Sequence, residues 1–333
     1  DAVITVPAYF RNPQREATIA AGKMAGLNVL QVVNEPTAAA IAYGVEATGR
    51  DQTLLVCDLG GGTFDVTLLR LTGDEIQILT SDGDHRLGGR DWDDRIMRYL
   101  ASQFEEQHDI YPLDNASTIN DFLVQAENVK KRLSQAQAVT VPVVAAGIRG
   151  RVTLQRSTFE DISSDLMRRT IGLTDSVLAG QSLSHSAVDG VILVGGSTRM
   201  PMVHDWVLRA FGKPPMAGIN VDEAIALGAA QLAARLSQSK GLLPSLRLSG
   251  RRAIDVTNHS LGMIAVTADR TAYVNSIILG KDQPVPCDSS RPYSCRVNSR
   301  HTSNIEVFMT QGESTNPGSA TYLGKYVIEG MPD

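Results

Sequence analysis

The sequence predicts two regions of different fold class, an α/β region followed by an antiparallel β region. Between residues 1 and 238, β-rich runs alternate with helical patterns, and three of those runs end in glycine turns. From residue 254 onward, apolar runs separated by polar turns lack a helical period. Residues 239–253 combine Gly, Pro and Arg without periodicity, so we interpret them as a linker.

The composition is that of a soluble globular protein and excludes two partner classes. The 333 residues are 43% hydrophobic and 20% charged, with a formal net charge of -5 and no basic block. We therefore expect neither nucleic acid nor an anionic membrane as a partner. No apolar run approaches the roughly 20 residues that span a bilayer, and no targeting segment stands at the N-terminus, so we expect a cytoplasmic protein.

The cysteines and the chain ends add two expectations. Cys57, Cys287 and Cys295 are too sparse for a disulfide framework and fit a reducing compartment. Cys57 lies in an apolar run and is expected in the core, while the other two are either a free pair or face each other across a loop. The chain starts inside an apparent strand and stops within another, so we expect a fragment cut at both ends.

The first elements are a strand, a helix, a second strand and a second helix. Residues 2–6 form a β-rich run. Asn12 as N-cap, with Pro13 in the first turn, predicts a helix to about residue 25. Glu35 stands before an alanine-rich helix, where the helix dipole favours a carboxylate. Its simplest interpretation is a helix cap.

The central motif is LLVCDLGGGTFDVTLL, which predicts a hairpin bent around glycines at residues 54–69. Gly60, Gly61 and Gly62 let backbone N–H groups approach an anion, and Asp58 and Asp65 flank the bend with carboxylates. This chemistry suits a phosphate with its Mg²⁺. The alternative is an ordinary glycine-rich hairpin.

Two further glycine turns follow other predicted strands. Gly88 and Gly89 in HRLGGRDWDD precede a predicted helix at about residues 91–108. Gly195 and Gly196 follow the apolar run VILV, and Ser197–Arg199 are predicted to open a helix, an anion-binding arrangement. Three such turns, without a GxxxxGK[ST] pattern, indicate a nucleotide held between segments that are distant in sequence.

The remaining predicted elements include a polar helix, FLVQAENVKKRLSQA, whose charged face is by default a solvated one. Next come predicted strands at 138–144 and 149–155, helices within 157–182, and a small-residue helix at 220–234 capped by Asn220 or Asp222.

Six segments together resemble the nucleotide-binding domain of heat shock protein 70 chaperones: VPAYF, NEPTAAAIAYG, DLGGGTFDVTLL, GDHRLGGRDWD, VILVGGSTRMP and DEAIALGAA. The resemblance extends to about residue 236 and implies an actin-like, ribonuclease-H-like ATPase domain, incomplete at its N-terminus. DVTNHSLGM and the β-rich tail resemble, more distantly, the start of the family's β-sandwich substrate-binding domain, whose end and helical lid are missing.

The resemblance implies an ATP-dependent folding chaperone, in which ATP binding and hydrolysis are coupled to binding and release of unfolded, apolar polypeptide. The implied cofactors are ATP or ADP and Mg²⁺, with K⁺ as a further candidate. The implied partners are a J-domain co-chaperone and a nucleotide-exchange factor. The alternatives are a degenerate chaperone relative that holds nucleotide without turnover and a small-molecule kinase of the same fold, which would need a sugar pocket and no β-rich tail.

The resemblance also assigns roles residue by residue. Thr63 would lie near the γ-phosphate and its attacking water, and Glu35 and Asp65 would order Mg²⁺ and its waters. The implied catalytic set is Glu35, Asp58, Thr63 and Asp65, of which Asp58, and Glu35 through water, would hold the metal. The implied nucleotide-binding set is Gly60, Gly61, Gly62, Thr63, Gly88, Gly89, Glu127, Lys130, Lys131, Ser134, Gly195, Gly196, Ser197, Arg199 and Asp222. Pro7 and Arg15 match positions of interdomain signalling.

Two departures from the family pattern carry expectations. The family's first phosphate loop and a phosphate-contacting lysine are missing, so the chain as given is expected to hydrolyse ATP poorly. The predicted linker interrupts the family's apolar run with Pro244, Arg247, Arg251 and Arg252, which puts interdomain coupling in doubt.

Overall fold

The fold is described from a computed structural model. The described residues are 1–8, 10–44, 51–72, 75–114, 116–239, 252–254, 256–285, 287–294 and 304–329.

The N-terminal elements are two parallel strands and two helices. Their bounds are β1 Ala2–Val6, α1 Asn12–Met24, β2 Val29–Asn34 and α2 Glu35–Gly44. The predicted cap of α1 is wrong by one residue, because Arg11 holds the N-cap position and its N–H donates to Gln14 Oε1 at 2.9 Å. The N–H of Asn12 instead donates to Gln311 Oε1, 3.2 Å away in the β region. Glu35 is the first residue of α2, as its dipole preference suggests.

The predicted glycine hairpin is confirmed as two antiparallel strands. It consists of β3 Gln52–Leu59 and β4 Phe64–Thr72, and β5 Glu75–Asp84 continues the sheet. Asp58 lies directly opposite Asp65, and Leu59 lies opposite Phe64. The two flanking carboxylates are therefore cross-strand neighbours at the open end of the bend.

The rest of the α/β region packs helices on both faces of this sheet. The elements are α3 Gly89–His108, α4 Ala116–Leu133, β6 Ala138–Ala145, β7 Ile148–Gln155, α5 Arg156–Ile162, α6 Ser164–Gly180, β8 Gly190–Val194, α7 Pro201–Phe211 and α8 Ala224–Ser239. The strand order is β8-β3-β4-β5, with β8 parallel to β3, and β6 and β7 form a separate hairpin. The residues after Gly195 form a 3-10 turn, Gly196–Arg199, rather than the predicted start of an α-helix, which begins at Pro201.

Alternate side chains of the central strands fill two apolar cores. Leu55, Cys57 and Leu59 of β3 join the larger core with side chains from α3, α4, α6 and α7. Leu54 and Val56 join the smaller core with α2 and α8. The sheet is buried on both faces, which fixes the ends of its strands and hence the glycine turns that follow them.

The β region is an antiparallel sheet, as predicted. Its elements are β9 Arg252–Ile254, β10 Leu261–Val266, β11 Tyr273–Leu279, β12 Ile305–Gln311 and β13 Thr321–Ile328. The order is β11-β10-β12-β13, while β9 adds in parallel to the edge strand β5 of the α/β sheet. Most of the predicted linker, with Pro244, Arg247 and Arg251, falls outside the described residues, so the boundary at 239–253 stays a prediction; Ser239 ends α8 and Arg252 begins β9.

Two smaller expectations can be compared with this fold. Cys57 is buried in the core and Cys287 is exposed and free, whereas Cys295 lies outside the described residues. Among the helices described, none has the length and apolarity needed to cross a bilayer.

Candidate functional site

The three glycine turns meet at one backbone carbonyl, that of Gly60. This oxygen accepts hydrogen bonds from the Gly89 N–H at 2.9 Å and from the Ser197 hydroxyl at 2.9 Å. The Gly60 N–H in turn donates to the Thr63 carbonyl at 3.0 Å, which closes the hairpin bend. The predicted convergence of segments about 140 residues apart in sequence is therefore present in the fold.

Two of these glycines are required by their surroundings. A Cβ on Gly88 would lie 2.5 Å from the backbone of Gly62, so the second turn contacts the first without room for a side chain. Gly195 has φ +86°, and a Cβ there would lie 2.5 Å from the Leu59 carbonyl oxygen and 2.7 Å from Asp58 Oδ1. Glycine at both positions lets the three turns form one surface.

This surface presents free backbone donors. Among the described residues, no acceptor pairs with the N–H groups of Gly61 and Gly62, which are exposed at the tip of the bend. The Gly61 carbonyl accepts from the Arg90 N–H at 2.9 Å, which holds the tip against the start of α3. Successive N–H groups that point outward in this way suit an anion.

A cavity of about 1000 Å³ opens beside the turns, between α4 and the Gly196–Arg199 turn. Its volume is at the upper end of that of ligand pockets, about 300–1000 Å³. The predicted nucleotide-binding residues that line it are Gly61, Gly89, Glu127, Lys130, Lys131, Ser134, Gly196, Ser197, Arg199 and Asp222. The lining residues that sequence reasoning missed are Arg90, Asp93, Leu123, Val124, Gln135 and Met200.

Lys130 is the buried cation of this cavity. Its ammonium lies 2.9 Å from Asp93 Oδ1 and donates to the Gly89 carbonyl at 2.8 Å, with both side chains of the pair about 10% exposed. Burial raises the pKa of Asp93, and the hydrogen bond from Lys130 opposes that rise. The solvated-face interpretation is therefore wrong for Lys130, which ties α4 to the glycine turn at the start of α3.

Two exposed ion pairs lie on opposite walls. On α4, Lys131 contacts Glu127 at 2.7 Å. Across the cavity, Arg199 contacts Asp222 at 2.6 Å and Asn220 at 3.1 Å. Lys131 is 65% exposed, so the solvated-face interpretation fits this residue. Each wall of the cavity therefore carries its own pair of one cation and one carboxylate.

Two of the four predicted catalytic residues line a cavity different from the one that most of the predicted nucleotide-binding residues line. Thr63 and Asp65 line a second cavity of about 430 Å³, together with Pro7, His85 and Thr321 of β13. Glu35 and Asp58 line neither of these two cavities, and neither do the predicted nucleotide-binding residues Gly60, Gly62, Gly88 and Gly195.

The pKa values of Glu35 and Asp58 are both raised by burial and by the charge of a neighbouring carboxylate. Burial, followed by the charge of Asp65, raises the pKa of Glu35 to about 7. Burial, followed by the charge of Glu35, raises the pKa of Asp58 to about 7. Within the described part of the chain, no three His, Cys, Asp or Glu side chains converge closely enough to hold a metal ion by themselves.

Comparison with known proteins gives a consistent result. The family model described as Hsp70 protein matches residues 1–333. The chaperone protein DnaK of Deinococcus deserti is 40% identical over 340 aligned positions, which cover 100% of this chain and 52% of the relative. The chain thus spans about half the length of this curated relative. Since the family model covers every residue of the chain, the protein belongs to the Hsp70 family of chaperones.

Proposed function

We propose that the chain binds ATP and ADP with Mg²⁺ in the 1000 Å³ cavity, as part of an ATP-dependent folding chaperone of the cytoplasm. The observation that carries the proposal is the junction at the Gly60 carbonyl, where the three glycine turns meet beside the cavity. A phosphate chain would accept from the free N–H groups of Gly61 and Gly62. The adenosine would lie between the two walls that carry Lys131 and Arg199.

Glu35 and Asp58 fit a divalent cation that is also held by phosphate oxygens. Asp58 is buried and Glu35 is half-buried, and the pKa of each is raised to about 7 by burial and by a neighbouring carboxylate, so a bound cation would favour their charged forms. Mg²⁺ prefers oxygen ligands and keeps several waters, so one direct carboxylate, Asp58, with Glu35 acting through water, satisfies it without a third protein ligand. When bound, the cation would neutralise charge on the phosphates.

The hydrolytic step is assigned to the smaller cavity. The Thr63 hydroxyl lies one residue beyond the free N–H groups, so the bend itself would place it at the far end of the phosphate chain. Asp65, which lines this cavity, would accept a hydrogen bond from the attacking water. Glu35 does not line the cavity, and with its pKa of about 7 it would help to order the water from beside Asp65, whose charge acts on it. The contribution expected of such groups is orientation and electrostatic stabilisation.

The β region supports coupling to polypeptide. Two hydrogen bonds join the β region to the α/β region. The Asn12 N–H donates to Gln311 Oε1 of β12, and Thr80 Oγ1 donates to Asp282 Oδ2, after β11, at 3.1 Å. A small-molecule kinase of the same fold would not be expected to carry this additional β sheet. We extend the proposal to unfolded apolar polypeptide as substrate, and to a J-domain co-chaperone and a nucleotide-exchange factor as partners, on the strength of the family.

The test is a titration of the chain with ADP and Mg²⁺, followed by single-turnover ATP hydrolysis with and without an unfolded apolar peptide. We expect measurable ADP binding and, in a chain extended upstream, hydrolysis that the peptide stimulates. Binding with no turnover in the extended chain would instead identify a degenerate relative. Failure of ADP to bind at millimolar concentration would contradict the proposal.

A further inference from the structure

Arg90 is the fourth cationic side chain that lines the large cavity. It is the second residue of α3, and its N–H donates to the Gly61 carbonyl at 2.9 Å, so its backbone is fixed beside the tip of the glycine bend. Its side chain is exposed and lines the cavity. Its side chain therefore begins at a backbone position next to the free N–H groups of the glycine bend.

The charges of the cavity leave Arg90 without a counter-ion. The other three cations each have a carboxylate partner within 3 Å: Lys130 with Asp93 at 2.9 Å, Lys131 with Glu127 at 2.7 Å and Arg199 with Asp222 at 2.6 Å. Over the described ranges of the chain, Arg90 makes no side-chain hydrogen bond or ion pair. The lining thus carries four cations and three carboxylates, and the unmatched positive charge is at the glycine end.

An arginine at this place suits a particular ligand group. A guanidinium presents parallel donors that match two oxygens of a phosphate, and it stays charged at any physiological pH. The N–H groups of Gly61 and Gly62 offer donors to the same group. Since neither donor set has a protein acceptor among the described residues, a ligand anion can satisfy both without first breaking a contact.

We propose that Arg90 binds the polyphosphate of the nucleotide and sets the preference of this cavity for nucleoside diphosphates and triphosphates over nucleosides. The inference rests on the proposed function, because it names a phosphate contact within the same site. It adds a specificity-determining side chain on α3 to the contacts from α4 and from the Gly196–Arg199 turn.

The test compares ADP with adenosine as ligands of the wild-type chain and of R90Q, R90K and R151Q, in the presence of Mg²⁺. Arg151 is an exposed arginine on β7, outside the cavity, and serves as the matched control. We expect R90Q to weaken ADP binding about tenfold, equivalent to about 1.4 kcal/mol, and adenosine binding less than twofold. R90K should recover part of the loss, R151Q should match wild type, and the salt dependence of ADP affinity should be weaker in R90Q than in wild type.

Two results would overturn the inference while leaving the proposed function intact: R90Q binds ADP as wild type does, or R90Q weakens ADP and adenosine equally. R90Q should keep the fold, because the Arg90 side chain makes no hydrogen bond or ion pair to the described residues, and thermal unfolding of R90Q checks this. If the wild-type chain binds adenosine but not ADP, the inference fails together with the phosphate part of the proposed function. If it binds neither, both fail entirely.

Discussion

The α/β region and the β region bury different kinds of side chain. In the α/β region, both faces of the central sheet are covered by apolar residues. In the β region, Val256 is the only apolar side chain among the described residues that is fully buried, and the others are polar: His259, Ser260, Asn275, Ser276, Thr310 and Gln311. The α/β region is therefore a frame supported by an apolar core, whereas the β sheet is held by hydrogen bonds and leaves apolar surface, such as Tyr322 and Tyr326, exposed.

The largest effect is expected where this frame has no room. Gly195→Ala would place a Cβ 2.5 Å from the Leu59 carbonyl oxygen, at a φ of +86°. We expect the free energy of unfolding to fall by about 3 kcal/mol or more. Urea unfolding followed by tryptophan fluorescence measures it, because Trp92 and Trp206 are both buried in the α/β region.

Gly172→Ala in α6 is the matched control for this change, since a Cβ there meets no heavy atom within 4 Å. It should raise stability slightly, by up to about 1 kcal/mol, through helix propensity. A Gly195→Ala chain as stable as the wild type would mean that the three turns do not pack as tightly as the structure indicates.

The second-largest effect is expected on ATP hydrolysis, at Thr63 in the hairpin bend of the α/β region. In a form of the protein that hydrolyses ATP, Thr63→Ala should retain nucleotide binding and lose turnover by about 10²-fold, as when one preorganised transition-state contact is removed. Single-turnover phosphate release gives the rate. Thr140→Ala, on the exposed β6–β7 hairpin, is the control. Turnover within threefold of wild type would reduce Thr63 to a structural residue of the bend.

A change in the β region should leave the frame untouched. Asn275 accepts from Thr310 Oγ1 at 2.5 Å and donates to the Ser314 carbonyl at 2.7 Å, all within the β region. Asn275→Ala leaves these buried groups without partners and should cost about 2 kcal/mol. Amide exchange in β10–β12 should accelerate while the tryptophan-detected unfolding stays unchanged.

The control for Asn275 is Asn316→Ala, in an exposed turn where the side chain accepts only from the Gly318 N–H at 3.0 Å. Its effect should stay below about 1 kcal/mol. If Asn275→Ala instead shifted the tryptophan transition, the two regions would unfold as one cooperative unit. The claim that they are stabilised separately would then be wrong.

The raised pKa values of the two carboxylates make the frame sensitive to pH. The pKa of Asp58 is raised from 3.8 to about 7, so between these values the folded chain binds more protons than the unfolded chain and stability falls as pH rises. Asp58→Asn should therefore stabilise the nucleotide-free chain by about 1–2 kcal/mol at pH 8 and have little effect near pH 4. Asp51→Asn, at an exposed position before β3, is the control. A pH profile that Asp58→Asn leaves unaltered would contradict the raised pKa of Asp58.

The smallest effect is expected at an exposed wall of the cavity. Lys131 is 65% exposed and would contact adenine through its aliphatic stem. Lys131→Ala should weaken ADP binding by on the order of 1 kcal/mol, or about fivefold, with Lys23→Ala on α1 as the exposed control. Unchanged affinity in a nucleotide titration would return Lys131 to a solvated face.

Local patterns predicted local structure well and distant contacts poorly. The bend at Gly60–Gly62, the antiparallel strands around it and the alanine-rich helix α2 follow from glycine chemistry, periodicity and composition. The pairing of Lys130 with Asp93 does not, because the two residues lie on different helices and no periodicity relates them. The role of Arg90 does not follow from the sequence either, because its lack of a counter-ion becomes visible only after the structure has paired the other three cations of the cavity.

The helix start at Asn12 combines a local preference with a distant contact. A good N-cap residue stands at the first helical position instead, and its N–H, which has no partner within the helix, donates to Gln311 of the β region. The cap preference is worth about 1 kcal/mol, and a contact between regions is not encoded in the neighbouring sequence. The predicted helix start at the third glycine turn is wrong for a local reason, since Thr198 Oγ1 donates to the Gly195 carbonyl at 2.6 Å in a 3-10 turn.

The most direct test of the central claim, that the junction of glycine turns binds nucleotide phosphates, is residue-resolved amide exchange of the chain with and without saturating ADP and Mg²⁺. The N–H groups of Gly61 and Gly62 have no acceptor among the described residues, so they should exchange rapidly in the free chain and at least tenfold more slowly with ADP bound, while exposed amides of β7 stay unchanged. Binding of ADP that leaves the exchange of Gly61 and Gly62 unaltered would contradict the account.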